Sequence, residues 1–529
     1  MPNHRHGDRL TWADALFLYL EREGMPLNVA GVSVFEGVIS REACAHFIAS
    51  KLPLIPRYYQ RVVTPPFNVG LPAWEYDPEF DVRKHVHEVT LKQGTEAEFQ
   101  AVCGKLLGKV MDRQMPLWDL TLVRGLKGNR TGVVARVHHC LADGIAGVGI
   151  MNVIFDANPA VPRLPKRKRH FRVPPPRDAF ASLLDGWLSS FSNMVQRSLE
   201  AQSELTNIAE RVVASGRDWP AGEFAKLLPE LTAPTEPLHF NVTYRGPQKF
   251  AWAEIPLAEI KAIKQACGTS VNDVVLALVT STIRRYAELH GDKIDNRLLR
   301  IMVPVNLRGS DKPDDLGNRI SLVPVTIPLD VRHPRKLLAA VHERTEFLKR
   351  THVAELVSLA GTLMGTIATP LQAMLGPFAS QLPITPFNLV CTNVPGPQFP
   401  LYLLGHKMLK WYPYVPVGGE MTLNCAILSY NGAVYFGFSG CSQAAPDLGR
   451  VVSLLKASAT ELCRATGIKS SRPERTIAKR KSSQKPKKVA KTQVPVPFPT
   501  GPPALEPVAM ASPTIPTNAT TVAAVPLHS

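Results

Sequence analysis

The sequence predicts an α/β protein of the α+β kind, with two domains and a disordered C-terminal tail. Its 529 residues exceed the roughly 250–300 at which a single hydrophobic core stops growing, so two domains are expected. Apolar residues make up 45% of the chain and charged residues 20%, which is typical of a folded globular protein. Strand-like and helix-like apolar patterns follow one another along the chain, and this favours mixed α and β structure.

The first domain is predicted to span residues 1–160. Apolar residues alternate in strand fashion from Val29 to Phe35 and again from Gly132 to His138. The other elements predicted here are a helix or turn over 10–21, helices over 41–52, 95–110 and 148–155, an aromatic loop over 74–82, and strands over 85–91 and 120–123.

A basic stretch broken by prolines follows, and it cannot continue a helix or a central strand. Residues 161–235 are therefore predicted to form a linker with one or two crossover helices. A second domain is predicted over 236–468. Its expected elements are strands over 249–255, 299–305 and 320–327, and helices over 257–266 and 272–290.

Residues 469–529 form the predicted disordered tail, which is basic at first and then rich in Pro, Ala and Thr. The formal charge is +17; ten Lys/Arg against Glu474 and Glu506 place 10 − 2 = +8 in the tail, leaving 17 − 8 = +9 for the body. The surplus on the body suits an anionic ligand or an anionic membrane surface, and no nucleic-acid partner is expected. The basic tail is open to two interpretations: contact with anionic lipid or nucleic acid, or a solubilising role.

Residues Leu356 to Gly405 contain no Asp, Glu, Lys or Arg. Prolines interrupt this stretch, so it predicts a buried core helix, or else a helix that lines a lipid tunnel or dips into a membrane interface. The N-terminus shows no apolar core of a secretory signal, so a cytoplasmic location is expected. The eight cysteines are scattered without a C-x-x-C pair and predict free, mostly buried thiols rather than a metal site.

The chemistry-bearing motif is His138-His139-x-x-x-Asp143-Gly144, which stands where a strand ends and a helix begins. Adjacent side chains at the end of a strand point to opposite faces, so only one histidine faces a given cleft. A neutral imidazole is a suitable general base for a hydroxyl near pH 7. Asp143 either orients the histidine or pairs with a remote arginine, for which Arg308 and Arg319 are candidates. Gly144 lets the backbone turn or a substrate approach.

This string resembles the hallmark of the coenzyme A-dependent acyltransferase superfamily, which includes chloramphenicol acetyltransferase and peptide-synthetase condensation domains. Further motifs along the body resemble the wax ester synthase/diacylglycerol acyltransferase family. They are Pro116-Leu117-Trp118, Asn272-Asp273 at the start of a helix, Val303 to Arg308 with Gly317-Asn318, and Asn393 to Pro397.

The resemblance implies roles for these residues. His139, the second histidine, is then the base, with His138, Asp143 and Gly144 in support. Asn272 and Asp273 are expected near the reacting carbonyl, although a helix N-cap explains the pair equally well. The segment Pro116, Leu117 and Trp118 either contacts substrate or locks a loop by packing. The Asn393 to Pro397 loop is expected to be structural.

The resemblance also implies two chloramphenicol-acetyltransferase-like domains with the active site in a tunnel at their interface. Acyl-CoA is the expected co-substrate, with no tightly bound cofactor and no metal. The expected acceptor is diacylglycerol or a long-chain alcohol, met at the surface of the inner membrane or of lipid droplets. Two alternatives remain: an acyltransferase of the same superfamily with another acceptor, and a non-catalytic lipid-binding protein. The sequence does not predict the oligomeric state.

Overall fold

Two six-stranded β-sheets form the body of the protein in a computed structural model. The structure describes residues 9–142, 144–160, 235–306, 320–351, 369–379 and 387–470. The strands, in chain order, are β1 Asn28–Glu36, β2 Gln60–Val63, β3 Ala73–Tyr76, β4 Val86–Thr90, β5 Trp118–Leu126, β6 Arg130–His138, β7 Gln248–Pro256, β8 Leu298–Asn306, β9 Ile320–Pro328, β10 Leu389–Pro395, β11 Tyr402–Leu403, β12 His406–Tyr414, β13 Leu423–Tyr430 and β14 Ala433–Cys441.

Helices cover these sheets. Within the described ranges they are α1 Trp12–Leu20, α2 Arg41–Lys51, α3 Glu96–Leu107, α4 Gly144–Ile154, α5 Leu257–Cys267, α6 Val271–Leu289, α7 Pro334–Arg350, α8 Thr369–Ala379 and α9 Gly449–Thr466. Short 3-10 turns lie at Leu52–Leu54, Pro56–Tyr59, Pro66–Asn68 and Val82–Lys84. Several helices begin at side-chain caps of the kind that satisfies free backbone N–H groups; Thr11 accepts from the Asp14 N–H at 3.1 Å to start α1.

The first sheet has the strand order β11-β12-β1-β6-β5-β4, and only its β4–β5 pair is parallel. Strand β1 lies between β6 and β12, with Ala30 opposite Arg136 on one side and Tyr414 on the other. Strands β11 and β12 come from the C-terminal part of the chain. The sequence did not predict this exchange, because the pairing of distant strands leaves no local pattern.

The second sheet has the order β7-β14-β13-β10-β8-β9, in which β10 is parallel to both neighbours, β13 and β8. Helices α5, α6, α7 and α9 cover it and share one large apolar cluster with its strands. The α6 helix begins at a capping box, in which Ser270 and Asp273 each bond the backbone N–H of the other at 3.0 and 2.8 Å. This cap fixes the residues between them beside the central strands.

The two sheets approach each other closely at glycines. A Cβ on Gly437 of β14 would collide with the carbonyl oxygen of Pro413 in β12, and one on Gly104 of α3 would lie 2.7 Å from that of Gln248. The indole of Trp252 stacks on Tyr412 at 4.8 Å and donates to Glu96 at 2.8 Å. These contacts hold the two sheets together at fixed spacing.

Most predicted elements agree with the structure to within a few residues. Two differ: the predicted aromatic loop over 74–82 contains part of strand β3, which pairs with β2, and the helix predicted from residue 148 begins at Gly144. The crossover helices, Asp143, Arg308 and Arg319 lie outside the described residues, as does the predicted tail beyond Ser470. The stretch from Leu356 to Gly405 is described only over 369–379 and 387–405.

Among the described helices, none alone has the length and apolar character to cross a membrane. The pair α5 and α6, bent by 103° at the break between them, passes that test together by length and composition.

Candidate active site

An apolar cavity lies between the two sheets. Its walls come from β1, β6 and β12 of the first sheet, from β8, β10 and β13 of the second, and from helix α4. The volume of the cavity is about 140 Å³. Ligand sites for small molecules share its mostly apolar lining, with a few polar groups that orient the ligand.

His139 is a titratable side chain that lines this cavity, and it follows directly after strand β6. Its ring stacks on Phe17 of helix α1, with centroids 3.9 Å apart and planes 9° from parallel. Burial lowers the pKa of the imidazole to about 4, with a smaller contribution from neighbouring His138. The ring is therefore neutral at physiological pH and able to accept a proton.

His138 points the other way, as the alternation of a strand predicts. Its side chain is fully buried, its Nδ1 accepts the Cys140 N–H at 3.1 Å, and its Nε2 lies 3.3 Å from Oε1 of Glu21. The proton of a neutral ring therefore sits on Nε2, facing the carboxylate. His138 shapes the turn that carries His139 and does not line the cavity.

Glu21 is a site residue that the sequence analysis missed. Its buried carboxylate accepts the Leu27 N–H at 3.0 Å and pairs with Arg113 at 3.1 Å. Burial raises its pKa, but His138, the Leu27 N–H and Arg113 together bring that pKa below its usual value, so the group stays ionised. The backbone carbonyl of the same residue, Leu27, accepts the His139 N–H at 3.0 Å. Glu21 thus supports both histidines.

The segment Pro116, Leu117 and Trp118 lies beside the histidine pair but does not line the cavity. The Leu117 carbonyl accepts the His138 N–H at 3.0 Å. The buried Trp118 indole donates to the Tyr58 carbonyl at 2.8 Å and stacks on His85 at 4.4 Å. These contacts favour the loop-locking interpretation over direct contact with substrate.

Asp273 and Asn272 stand at the start of α6 and differ in their surroundings. Asp273 is fully buried, and beyond the capping box its carboxylate accepts from Thr345 at 2.7 Å and contacts His342 Nδ1 at 2.8 Å. Both of its oxygens are thus engaged within the protein. Asn272 accepts at Oδ1 from the side-chain amide of Asn393, 3.3 Å away.

Asn393 lies on β10 and lines the cavity, whereas Asn272 stands behind it. The Asn393 to Pro397 loop was predicted from the sequence to be structural. The structure brings Asn393 to the same cavity as His139 and makes its amide a polar group available to a ligand.

Cys140 is next to the base in sequence but not in orientation. Its side chain is 3% exposed and packs in an apolar cluster with Leu10 and Leu117. Burial raises the pKa of the thiol well above its ordinary value, and the carboxylates of Asp14 and Glu21 raise it further. A thiolate nucleophile at this position is therefore disfavoured.

The fold defines a class of protein, two packed mixed sheets with a cavity between them, and solved structures share this fold. The wax ester synthase/diacylglycerol acyltransferase from Marinobacter aquaeolei VT8 has this fold, with a TM-score of 0.60 and 24% identity over 87% of this chain and all of that one. The first condensation domain of the calcium-dependent antibiotic synthetase matches with a TM-score of 0.54 and 15% identity, over 88% of this chain and 97% of that one.

The chain belongs to the wax ester synthase/diacylglycerol acyltransferase family. The catalytic domain of that family matches residues 10–275, and its C-terminal domain matches residues 316–462. The protein is therefore an acyltransferase, and the family implies acyl-CoA as the co-substrate.

Two curated relatives come from Mycobacterium tuberculosis. "Probable diacyglycerol O-acyltransferase tgs1" is 27% identical over 84% of this chain and 93% of its own length. "Probable diacyglycerol O-acyltransferase tgs2" is 29% identical over 86% of this chain and 98% of its own length.

Proposed function

We propose that the protein transfers a long-chain acyl group from acyl-CoA to the hydroxyl of a lipid, with His139 as general base. The observation that carries the proposal is the neutral imidazole of His139 in the wall of an apolar cavity between the sheets. An apolar cavity suits an acyl chain, and a neutral imidazole suits proton removal from a hydroxyl.

The reaction proceeds in one step of acyl transfer. An imidazole nitrogen of His139 takes the proton of the acceptor hydroxyl as its oxygen attacks the thioester carbonyl. The carbon–sulfur bond then breaks, and the coenzyme A thiolate leaves and takes up the proton. The raised pKa of the buried Cys140 thiol argues against a covalent acyl-cysteine, so both substrates are bound together during transfer.

Asn393 is the amide that we assign to the reacting carbonyl. It lines the same cavity as His139, and its hydrogen bond to Asn272 fixes the orientation of its side chain. An oriented amide N–H is able to stabilise negative charge that develops on the carbonyl oxygen. In this arrangement Asn272 is a positioning residue.

Diacylglycerol is the acceptor that the curated relatives favour, since both are named for it. A long-chain alcohol is the second candidate, because the family joins both activities in its description. Such acceptors reside in lipid phases, so we place the enzyme at the cytoplasmic face of the inner membrane or on lipid droplets. Cell fractionation with an antibody to this chain tests the location: recovery in the soluble fraction alone contradicts it.

Release of free coenzyme A tests the chemistry. The purified protein is incubated with palmitoyl-CoA and either dipalmitoylglycerol or hexadecanol, and thiol and ester products are followed together. We expect acceptor-dependent thiol release with at least one of the two. Release that is absent with both acceptors would favour the non-catalytic lipid-binding alternative.

Two substitutions distinguish the role of His139 as the base from that of the neighbouring Cys140. His139→Ala is expected to lower kcat by about 10²–10⁴-fold, the usual contribution of a general base. Cys140→Ala, the control one residue along, is expected to leave kcat within about threefold, because the thiol faces the apolar cluster. Equal losses in the two variants, with unchanged melting temperatures, would contradict the assignment of His139.

A further inference from the structure

Four large apolar side chains lie exposed on two adjoining elements near the candidate active site. They belong to the Pro66–Asn68 turn and to helix α8: Phe67 is 86% exposed, Leu371 43%, Met374 57% and Leu375 46%. We name these four residues the apolar face. We propose that the apolar face docks onto a lipid surface and brings the lipid acceptor to His139, an inference that rests on the proposed function.

The turn and the helix form one unit. The Thr369 hydroxyl at the start of α8 donates to the Asn68 carbonyl at 3.0 Å and accepts the Gly70 N–H at 3.0 Å. Phe67 and Asn68 both adopt positive φ, 55° and 54°, a backbone region that bulky side chains rarely occupy. The turn thus holds an aromatic ring in solvent beside the exposed side of α8.

The opposite side of α8 packs toward the catalytic loop. Ala373 joins an apolar cluster that also contains Phe17 of α1 together with Cys140 and Leu141. Phe17 in turn stacks on the His139 ring. Helix α8 therefore packs, on the side away from the apolar face, against residues that contact the proposed base.

Charge favours a lipid surface over another protein as the occupant. Neither Thr64 to Trp74 nor Thr369 to Ala379 contains an Asp, Glu, Lys or Arg, so no charge has to be desolvated when the face enters an interface. The whole chain carries a formal charge of +17, which attracts it to anionic lipid. Apolar insertion combined with electrostatic attraction is how peripheral proteins hold a membrane surface.

Vesicle binding by the full-length protein tests the proposal. The face variant combines Phe67→Asn with Leu371→Gln, Met374→Gln and Leu375→Gln, since Asn tolerates positive φ and Gln keeps helix propensity. The matched control combines Phe399→Asn with Leu289→Gln and Leu298→Gln, which are 50%, 54% and 51% exposed elsewhere on the surface. Flotation uses vesicles of phosphatidylcholine and phosphatidylglycerol, with and without diacylglycerol.

We expect the face variant to partition onto vesicles at least ~tenfold more weakly than the wild type, while the control variant binds normally. Its activity should fall with diacylglycerol in vesicles and stay unchanged with octanoyl-CoA and a water-soluble alcohol. Unchanged vesicle binding would overturn the proposal. So would equal loss of activity with the soluble substrates, which would make the face part of the catalytic centre.

A second copy of the chain is the competing occupant, and sedimentation velocity detects it. A wild-type dimer that the face variant converts to a monomer would overturn the lipid assignment. Failure of the proposed function is distinguishable, because it would leave the wild type without coenzyme A release from palmitoyl-CoA with either lipid acceptor, whatever its vesicle binding.

Discussion

Replacing Phe17 with Ala tests whether the stacked ring keeps the His139 imidazole neutral. An ordinary histidine has a pKa of 6.5, and burial lowers that of His139 to about 4. The difference corresponds to about 3 kcal/mol of disfavoured protonation. Phe17 covers one of the two faces of the ring at 3.9 Å, so its removal is expected to open that face to solvent.

The expected effect is therefore a rise in the pKa of His139 by about one to one and a half pH units. The acid form is inactive as a base, so activity is lost as the pH falls through this pKa. At pH 5 the wild-type ring should be about one-tenth protonated, whereas the ring in Phe17→Ala should be half protonated or more. The acid limb of kcat/KM then moves upward, and activity at pH 8 changes much less.

Two measurements check this result. NMR of protein labelled at the histidine rings gives the pKa of His139 in the absence of substrate, and coenzyme A release gives the pH profile of kcat/KM. Phe17→Leu is the matched control, because it keeps the apolar cover and loses the aromatic stack. A wild-type His139 pKa near 6.5 would refute the reasoning, as would an unmoved acid limb in a folded Phe17→Ala protein.

Three further substitutions test other parts of the structure. Asp273→Ala removes the capping box and the Thr345 and His342 contacts, so it should lower the free energy of unfolding by about 2–4 kcal/mol, measured in urea. The kcat of the folded variant should stay within about twofold of the wild-type value. A large loss of kcat without destabilisation would support a substrate role for Asp273 instead. Gly437→Ala should lower the melting temperature, because its Cβ meets the Pro413 carbonyl, whereas Gly449→Ala, with open space around it, should not. Asn393→Ala should lower kcat about 10²-fold or more, and Asn272→Ala less; the reverse order in coenzyme A release would exchange their roles.

The sequence was sufficient to predict that His138 and His139 face opposite ways, because side chains alternate along an extended backbone. The choice of His139 as the base came from the family resemblance and stays a prediction. The boundaries of β1, β6 and α6 follow from equally local patterns of apolar residues and caps.

Other parts of the site depend on tertiary packing and left no local signal. Phe17 and Glu21 reach the histidines only because α1 folds back against the end of β6. Strand β12 enters the first sheet from the far half of the chain, and it brings Trp411 and Tyr414 to the cavity. Asn393 comes to the cavity because β10 pairs with β13 and β8 in the second sheet, a pairing that leaves no local signal around Asn393.

The two histidines of the motif have different surroundings, so substitutions at them are expected to act in different ways. His138 accepts the Cys140 N–H and faces the ionised Glu21, so its loss would leave a buried carboxylate without one of its partners. His139 has its ring at the cavity and its N–H on the Leu27 carbonyl, which Glu21 also holds in place through the Leu27 N–H. Low activity after either substitution is thus expected, but for different reasons: a deformed loop in the first case and a missing base in the second. Melting temperature together with the acid limb of the pH profile separates them, because His139 lines the cavity and its lowered pKa sets that limb.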